Sequence, residues 1–392
     1  MPQKDRHSSF IEPLKSREAS RQLRTLTPVS LPENSPRSIL KIDGKNFLNF
    51  CSNDYLGLAN HPTLIERSVE YTRKYGTGSS ASRLISGSLD IHHQAEEKLA
   101  SVCRRDAALL FNSGFQANTT ILPALTHRED LILADRRSHN SLIQGGLLSR
   151  ATFRRFRHND TGHLESLLQN ARDKNSTNQI WVVTESLFSM DGDLAPLEEM
   201  IGVCKKFDAF FYVDDAHAFG VLGRQGLGLA SGMSEIDLVI GTLGKAAGGF
   251  GAFALTSNLI YKNLVNFCSG IIYTTSPPPG VVGATEAAIE LIPKMEDDRA
   301  YLKNLITYTL DSLQKAGFRT GESQTQIIPV LLDNESTALA YADYLYKNNI
   351  FLQAIRPPTV QNSRLRITLT TSHSKEQIDN LIDTLKNGSI EN

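Results

Sequence analysis

Short, continuous apolar runs recur through the middle of the chain, and polar or amphipathic segments of helical length separate most of them. The runs are Ala107–Phe111, Leu131–Ala134, Ile180–Thr184, Phe210–Val213, Leu238–Gly241 and Phe250–Leu255. Runs of this kind are typical of strands covered on both faces, because a strand with one face in water alternates apolar and polar residues. Their alternation with helical segments predicts an α/β fold in which helices flank a mostly parallel sheet.

The C-terminal part of the chain follows a different pattern. One apolar helix face is formed by Leu302, Leu305, Ile306, Leu310 and Leu313. Gly317 can end this helix, and Ser374 with Gln377 forms a capping-box signal at the start of another. Two strand candidates, Gln326–Leu332 and Leu365–Leu369, lie between these helices. The pattern predicts a smaller C-terminal α+β domain.

The first part of the chain is polar and rich in proline. Its prolines include Pro13, Pro28, Pro32 and Pro36. This composition predicts a short helix followed by an irregular arm. We therefore expect an N-terminal helix and arm over residues 1–55, a large domain over 56–290 and a small domain over 291–392.

The overall composition narrows the classes of partner and site. A formal net charge of −1 gives no field that would attract polyanions, so we expect neither nucleic acid nor an acidic membrane as a partner. The four cysteines lie far apart and form no CxxC pair, which argues against a zinc site or a disulfide framework and indicates a reducing compartment. There is no signal-peptide pattern and no apolar stretch of ~20 residues. We expect a cytoplasmic enzyme.

Polar side chains follow nearly every predicted strand of the large domain. The groups at the strand ends are Asn112, Ser113, Asp135, Ser138, His139, Glu185, Ser189, Asp191, Asp214, Asp215, His217, Thr242 and Lys245. In open parallel sheets, ligands bind beyond the carboxyl ends of the strands. The sequence therefore predicts that these groups converge on one rim.

Lys245 lies in a segment of small and apolar residues that runs from Gly241 to Phe250. Burial of an ammonium in such surroundings lowers its pKa and favours the free amine, which forms a Schiff base with a carbonyl compound. The glycines leave room for a flat ring to approach the backbone. On this segment alone, a lysine whose ammonium reaches out of a glycine loop into water is an equally good interpretation.

Asp214 favours the first interpretation. Pyridoxal phosphate works best as an electron sink when its ring nitrogen is protonated, and a buried carboxylate keeps the proton there. Asp214 ends an apolar run about thirty residues before Lys245, which suits that task, although such an Asp alone is as often a helix cap. Ser113, Gly114 and Phe115 open a helix whose N–H groups can bind a phosphate, and Thr242 offers a hydroxyl beside the lysine.

With these residues assembled, the sequence closely resembles the α-oxoamine synthase family of fold-type I pyridoxal-phosphate enzymes, from about residue 21 to about residue 385. The motifs that carry the resemblance are Ser52–Leu58, Gly76–Ser79, Ser82–Gly87, Val213–His217 and Thr242–Lys245. The resemblance implies a homodimer with active sites at its interface.

The family resemblance also implies a role for each matching residue. Lys245 would carry the covalent link to the cofactor and act as general base, while Asp214 would bind the ring nitrogen. The other cofactor residues would be His139, stacked on the ring, Ser189 and His217 near its phenolic oxygen, and Gly114, Phe115, Thr242 and Thr275 at the phosphate, with Thr275 reaching it from the neighbouring subunit. Arg366 would pair with the amino-acid carboxylate. Arg24, Asn53 and Thr359 would line the acyl-substrate side, together with His139.

Four further segments narrow the resemblance within the family. Ala354–Val360 and Arg364–Thr370 are similar to members that condense L-alanine with a pimeloyl thioester, and so are Phe156–Asp160 and Phe188–Asp193. Their presence predicts an acyltransferase that uses these substrates, with either coenzyme A or acyl carrier protein as the acyl carrier. A relative that uses glycine or serine with another acyl-CoA is the first alternative, and a non-catalytic regulator on the same fold is a remote one. One departure, Ala218-Phe219 after His217, is expected to alter the shape of the pocket.

Overall fold

The computed structural model describes residues 6–20, 22–33, 35–173 and 178–388. Residue 21, where the family resemblance begins, and the outer ends of the predicted terminal domains lie outside these ranges. The helices are α1 Ser8–Ala19, α2 Pro62–Tyr75, α3 Asp90–Val102, α4 Gly114–Leu125, α5 Asn140–Leu148, α6 Thr161–Asp173, α7 Leu197–Lys206, α8 Asn258–Phe267, α9 Ser269–Ile272, α10 Pro279–Leu291, α11 Glu296–Lys315, α12 Glu335–Lys347 and α13 Lys375–Asn387. The strands are β1 Ile39–Ile42, β2 Lys45–Asn49, β3 Ala107–Phe111, β4 Leu131–Asp135, β5 Thr152–Phe156, β6 Ile180–Glu185, β7 Phe210–Asp214, β8 Leu238–Thr242, β9 Ala252–Thr256, β10 Ile327–Leu331, β11 Ile350–Phe351, β12 Ala354–Ile355 and β13 Arg364–Thr368.

Seven strands form the large sheet, in the order β3-β9-β8-β7-β6-β4-β5. Neighbouring strands from β8 to β5 pair in parallel, and only β9 runs against both of its neighbours. The predicted α/β class with a mostly parallel sheet is therefore confirmed. Six strands coincide with the predicted apolar runs, but β9 begins at Ala252 rather than Phe250, because Gly251 turns the chain at φ +109° and leaves Phe250 exposed.

Alternate side chains of each buried strand enter opposite cores, which explains the continuous apolar runs. In β3, Ala108 and Leu110 pack on one face, while Leu109 and Phe111 pack on the other. Helices α3, α6, α7 and α10 cover the first face, and α4, α5 and α8 cover the second. Burial of each Leu or Phe side chain contributes about 1.5–3 kcal/mol, so apolar residues on both faces stabilise the fold.

The edge strand β5 was not predicted. Its sequence, Thr-Phe-Arg-Arg-Phe, is buried only at Phe156, while Thr152, Arg154 and Arg155 are exposed. β3, at the opposite edge of the sheet, is buried throughout, whereas β5 has one buried side chain and so lacks the covering on both faces that produces an apolar run. Charged residues on such an edge also discourage pairing with another chain.

The C-terminal part forms a second sheet of three antiparallel strands, β10-β13-β12, with α11, α12 and α13 nearby. Helix α11 ends just before Gly317, whose φ is +85°, and α13 begins with the predicted Ser374–Gln377 capping box. Its core is continuous with the first face of the large sheet. The division of the chain near residue 290 stays a proposal.

An irregular arm is predicted before residue 55, but part of this arm forms regular strands. β1 and β2 form an antiparallel hairpin, and β2 also pairs with β11 in a third sheet. Asp43 and Gly44 turn the hairpin with positive φ angles of 47° and 79°, which is the Asp-Gly turn that hairpins favour. Within the described ranges, no helix combines the length and the apolar character needed to cross a bilayer.

Candidate active site

The carboxyl ends of the parallel strands bring four polar residues to one rim of the large sheet. Asp135, Glu185, Asp214 and Thr242 are the last residues of β4, β6, β7 and β8. Glu185 and Asp214 are direct partners in the β6–β7 ladder, so two carboxylates lie side by side. Lys245 follows three residues after β8. The structure therefore brings together the main candidates that the sequence identifies.

The ε-amine of Lys245 is the distinctive group of this rim. Its side chain is half-buried, and desolvation lowers the pKa of Lys245 to about 8, with the Arg366 charge acting in the same direction and Asp214 and Glu185 opposing it. Among the described residues, Nζ has no hydrogen-bond or ion-pair partner. The following loop is close-packed, since a Cβ on Gly248 would lie 2.3 Å from the backbone of Leu58. A close-packed loop thus presents an amine whose pKa lies well below that of an ordinary lysine.

Asp214 is held from two sides. Its Oδ2 accepts a 2.7 Å hydrogen bond from Asn118 Nδ2, and its Oδ1 accepts one of 3.0 Å from the backbone N–H of Ala216. Asn118 is fixed in turn by the Tyr212 hydroxyl, which donates to its Oδ1 at 2.5 Å, and by Ser141 Oγ at 2.9 Å from its Nδ2. No pattern in the sequence predicts these supporting roles of Asn118, Ser141 and Tyr212.

The same network reaches His139, which caps the N-terminus of α5. Its Nδ1 lies 2.7 Å from Ser141 Oγ, and its backbone N–H donates to Glu185 Oε1 at 2.6 Å. The His139 side chain is exposed, so its ring can be contacted by a bound molecule. Burial, reinforced by the Asp214 charge, raises the pKa of Glu185 well above its usual range, and this favours its neutral form.

His217 lies on the other side of the strand ends, between the large sheet and the C-terminal sheet. Its Nδ1 is 2.6 Å from the Tyr55 hydroxyl, and its carbonyl oxygen accepts from Gln326 Nε2 at 2.8 Å. Burial lowers the pKa of His217 well below its usual range, and the charges of Lys245 and Arg366 add to the effect. The ring is therefore neutral, with Nδ1 tied to Tyr55. Asn53 Oδ1 lies 3.2 Å from the same hydroxyl.

Arg366 reaches the rim from β13 of the C-terminal sheet. Its Nε donates to the Ser189 carbonyl at 2.5 Å, and its Nη1 donates to Thr368 Oγ1 at 3.0 Å. Ser189 follows β6, so this contact joins the two sheets. The Arg366 charge also lowers the pKa of Lys245 and that of His217.

The N-terminus of α4 lies at the end of β3, where a phosphate was predicted to bind. Ser113 caps this helix by accepting from Gln116 N, and Gly114 is its first residue, with nothing within 4 Å of the position a Cβ would take. Phe115 is exposed. At the end of β8, Thr242 Oγ1 donates to the Gly251 carbonyl and accepts from Gly244 N.

Three predicted residues lie apart from this network. Arg24 and Thr359 are exposed, and neither side chain contacts a polar partner among the described residues. Thr275 is exposed too, although its carbonyl accepts a hydrogen bond from Asn112 Nδ2 at 2.9 Å. Within the part of the chain that is described, nothing links Arg24 or Thr359 to the rim.

The departure at Ala218-Phe219 belongs to the core. Both side chains are buried in the cluster on the first face of the sheet. Phe219 packs edge-on against Phe253, with ring centroids 4.8 Å apart. The expectation that this pair shapes the pocket thus gains no support from its position.

The chemistry of the donor set fits pyridoxal phosphate. The group needs an amine for its aldehyde, an anion for its protonated ring nitrogen and unpaired N–H groups for its phosphate. Lys245, Asp214 and the Gly114 end of α4 supply these three functions on one rim. His139 and His217 add an exposed ring and a neutral ring beside them.

Known proteins are similar to this chain over most of its length. Residues 45–385 match the family described as aminotransferase class I and II. A putative 8-amino-7-oxononanoate synthase of Desulfosudis oleivorans is 42% identical over 95% of this chain and 97% of its own length. The 8-amino-7-oxononanoate synthase of Geobacter sulfurreducens is 41% identical over 95% of both chains.

Solved structures show the same architecture. Serine palmitoyltransferase of Sphingomonas wittichii superposes with a TM-score of 0.91 at 28% identity over 98% of both chains. The corresponding enzyme of S. paucimobilis, solved with bound PLP, gives a TM-score of 0.90 at 26% identity over 97% of both. An 8-amino-7-oxononanoate synthase of Francisella tularensis gives 0.75 at 29% identity, covering 87% of this chain and 97% of its own.

Proposed function

This chain belongs to the 8-amino-7-oxononanoate synthases within the class I and II aminotransferase family, and we propose that it condenses L-alanine with a pimeloyl thioester. The products are 8-amino-7-oxononanoate, carbon dioxide and the free thiol of the acyl carrier. This reaction is an acyl transfer and belongs to biotin biosynthesis. A cytoplasmic location is part of the proposal.

One observation carries the proposal: an amine that is readily deprotonated lies on the same rim as a fixed carboxylate and a guanidinium. The pKa of Lys245 is lowered to about 8, so far more of it is free amine near neutral pH than for an ordinary lysine. Asp214 is held by Asn118 and Ala216, and Arg366 by Ser189 and Thr368. Proton removal next to a substrate carboxylate needs a base, a fixed cation and a group that delocalises charge.

When bound, pyridoxal phosphate supplies the electron sink for the charge that develops at the amino-acid Cα. Lys245 would hold the aldehyde end of the group, Asp214 its ring nitrogen, and Gly114, Phe115 and Thr242 its phosphate. His139 would lie against the ring face. Ser189 and His217 would lie near the phenolic oxygen.

Each residue then has a separate task in the reaction. Arg366 binds the alanine carboxylate by paired N–H donors and so fixes the direction of the Cα–H bond. The Lys245 amine removes that proton as general base, and its lowered pKa suits this work near neutral pH. Asn118 and Ala216 each donate to one oxygen of Asp214 and so fix its carboxylate opposite the ring nitrogen. Asn53, Arg24 and Thr359 would contact the acyl chain.

The proposal includes a homodimer with active sites at its interface. Large apolar side chains exposed on the segments around Ser82, Gly114, Lys245 and Thr275 support it, since exposed apolar surface is typical of contact regions. These are Leu84, Ile85, Phe115, Phe250 and Tyr273. Thr275 is exposed in the same region, where a second copy could use it to reach a phosphate. Light scattering that gives the mass of one chain would contradict this part.

The deciding experiment is a substrate panel. Purified protein is incubated with pimeloyl-CoA or pimeloyl-acyl carrier protein and with L-alanine, glycine or L-serine, and thiol release is measured. We expect thiol release with L-alanine to exceed that with glycine by at least about tenfold, as contacts to one methyl group are worth about 1–3 kcal/mol. Release with L-alanine should also exceed that with L-serine, since an apolar site for the methyl group disfavours an added hydroxyl. Serine belongs in the panel because serine palmitoyltransferases share the fold. Release with serine or glycine alone would indicate a sibling enzyme.

A second readout separates an enzyme from a binding protein. Borohydride reduction followed by peptide mapping should label Lys245. A labelled protein that released neither thiol nor carbon dioxide with any amino acid would be a non-catalytic regulator. A label on another lysine would remove the basis of the proposal.

A further inference from the structure

The loop Phe188–Asp193, between β6 and α7, joins the two sheets and is the support of Arg366. From the C-terminal side, Arg366 Nε donates to the Ser189 carbonyl at 2.5 Å, and Arg364 Nη1 donates to the Met190 carbonyl at 3.2 Å. Arg364 and Arg366 are alternate residues of β13, so they leave the strand on the same face. Displacement of the loop would therefore displace the guanidinium that is proposed to bind the substrate carboxylate.

His158 holds the other end of this loop. Its Nε2 lies 2.6 Å from Asp193 Oδ2, and its Nδ1 lies 3.0 Å from Asp135 Oδ1. An ionised carboxylate can only accept, so both ring nitrogens must donate and the ring must carry a positive charge. Asp135 is anchored at the end of β4, where its side chain also accepts from the N–H groups of Arg137 and Asn159. His158 thus ties the loop to the rim of the large sheet.

The surroundings of His158 agree with a permanent charge. Its side chain is 13% exposed and meets the Phe188 ring edge-on at 4.4 Å. Burial alone would lower the pKa of His158, but the hydrogen bonds to Asp135 and Asp193 outweigh burial and raise it to about 9. The imidazolium therefore persists through the neutral range.

Asp193 depends on this contact. Its Oδ2 accepts from His158 and from Asn159 Nδ2, while its Oδ1 is buried without a partner among the described residues. A buried carboxylate that loses its cation is strongly destabilised in its position. At Gly192 the loop packs against Ile327 so closely that a Cβ would lie 1.9 Å from its carbonyl oxygen, so small shifts of the loop on this side meet the C-terminal sheet.

We propose that His158 is a positioning residue for the amino-acid substrate: by bridging Asp135 and Asp193 it fixes the 188–193 loop, whose Ser189 carbonyl aims Arg366. This inference rests on the proposed function, since it takes Arg366 as the carboxylate-binding group. His158 touches neither substrate nor cofactor in this scheme. Its effect reaches the reaction through Ser189 and Arg366 alone.

Two substitutions at the same position test the bridge. In His158→Asn the amide reaches Asp135 but not Asp193, whereas in His158→Gln it reaches toward Asp193. We expect His158→Asn to raise the KM for L-alanine by about 10- to 100-fold with kcat changed less than about threefold, because small misplacements of a substrate-binding group have effects of this size. His158→Gln should recover a large part of the loss. His127→Asn, at an exposed histidine, is the matched control and should leave both constants unchanged.

A variant of Arg366 tests whether His158 acts through this residue. If His158 acts through Arg366, the His158→Asn change should have little further effect on the KM for L-alanine in an Arg366→Lys protein, as expected of coupled residues. Equal effects in both backgrounds would overturn the inference. So would an unchanged KM in folded His158→Asn. Borohydride labelling of Lys245 in each variant gives a readout independent of turnover and should be retained.

Two measurements keep the outcomes distinct. Wild-type thiol release with L-alanine is measured first, and its absence counts against the proposed function rather than against the bridge. If His158→Asn fails to fold, Asp193→Asn decides, since it keeps the size of the side chain and weakens the same contact. A KM for L-alanine unchanged by Asp193→Asn would then overturn the role of His158.

Discussion

The residues on the rim of the large sheet and those on the outlying segments differ in how the chain holds them. Asp214, Glu185 and His139 lie in a network of hydrogen bonds within one chain. Arg24 and Thr359 are exposed and have no polar side-chain partner among the described residues. The residues of the first group are held in place before a ligand binds. The side chains of the second group can make polar contacts only with a bound molecule.

This difference has a physical origin in the sheet. A residue at the end of a buried parallel strand is fixed by the ladder and by packing on both faces, so its position follows from the strand itself. A residue on an arm or a turn has no such frame. Preorganised groups are expected to dominate the rate, and adaptable groups are expected to contribute modestly to binding.

The largest expected effect comes from removing the rim amine. Lys245→Ala should lower kcat by at least about 10³-fold, because it removes both the covalent anchor and the general base. Thiol release at saturating substrates measures it, and the thermal midpoint should stay near that of the wild type. Lys262→Ala, at an exposed lysine, is the control. A kcat of Lys245→Ala within tenfold of wild type would contradict the expectation that the rim residues dominate the rate.

The second largest effect is expected from removing the charge of Asp214. Asp214→Asn keeps the shape and the Asn118 contact but removes the anion opposite the ring nitrogen, so kcat should fall by about 10²- to 10⁴-fold. Asn118→Ala should cost less, about tenfold, since it removes one donor to Asp214 Oδ2 and leaves the charge in place. Asp208→Asn, on the surface, is the matched control. An Asn118→Ala loss larger than that of Asp214→Asn would contradict this order.

The predictability of the fold follows the same division. The six strands with both faces covered produced apolar runs and could be recognised from the sequence. β5 could not be recognised, since its exposed arginines interrupt the apolar pattern of a buried strand. The β1–β2 hairpin was recognisable in principle, because Asp43-Gly44 is a turn signal between residues of alternating burial.

In the site, groups with chemistry of their own could be predicted, and the groups that hold them could not. Lys245 and Asp214 stand out as ionisable residues after apolar runs. Asn118, Ser141 and Tyr55 have ordinary polar side chains whose roles depend on neighbours 23 to 162 residues away in sequence. Only the folded arrangement brings those neighbours together.

The His158 bridge between Asp135 and Asp193 should make the free energy of unfolding depend on pH. This dependence measures how much the bridge stabilises the rim. The pKa of His158 is raised from about 6.5 to about 9, so its stabilisation is fully present below about pH 6.5 and is lost as the pH rises through 9. The difference in unfolding free energy between wild type and His158→Asn should shrink by about 3 kcal/mol from pH 6 to pH 10. Denaturant titrations at both pH values measure it. A difference that stays constant or grows would show that the ring is not charged in the folded protein.

The smallest effects are expected from the exposed residues. If Arg24 and Thr359 contact the acyl chain, Arg24→Ala and Thr359→Ala should each raise the KM for the pimeloyl thioester about three- to tenfold, the worth of one hydrogen bond to a flexible group. The KM for L-alanine and the thermal midpoint should not change, since neither side chain has a polar partner among the described residues. Thr307→Ala, at an exposed helix position, is the control. A shift in the KM for L-alanine instead would place these residues with the rim, and the contrast between preorganised and adaptable groups would then fail.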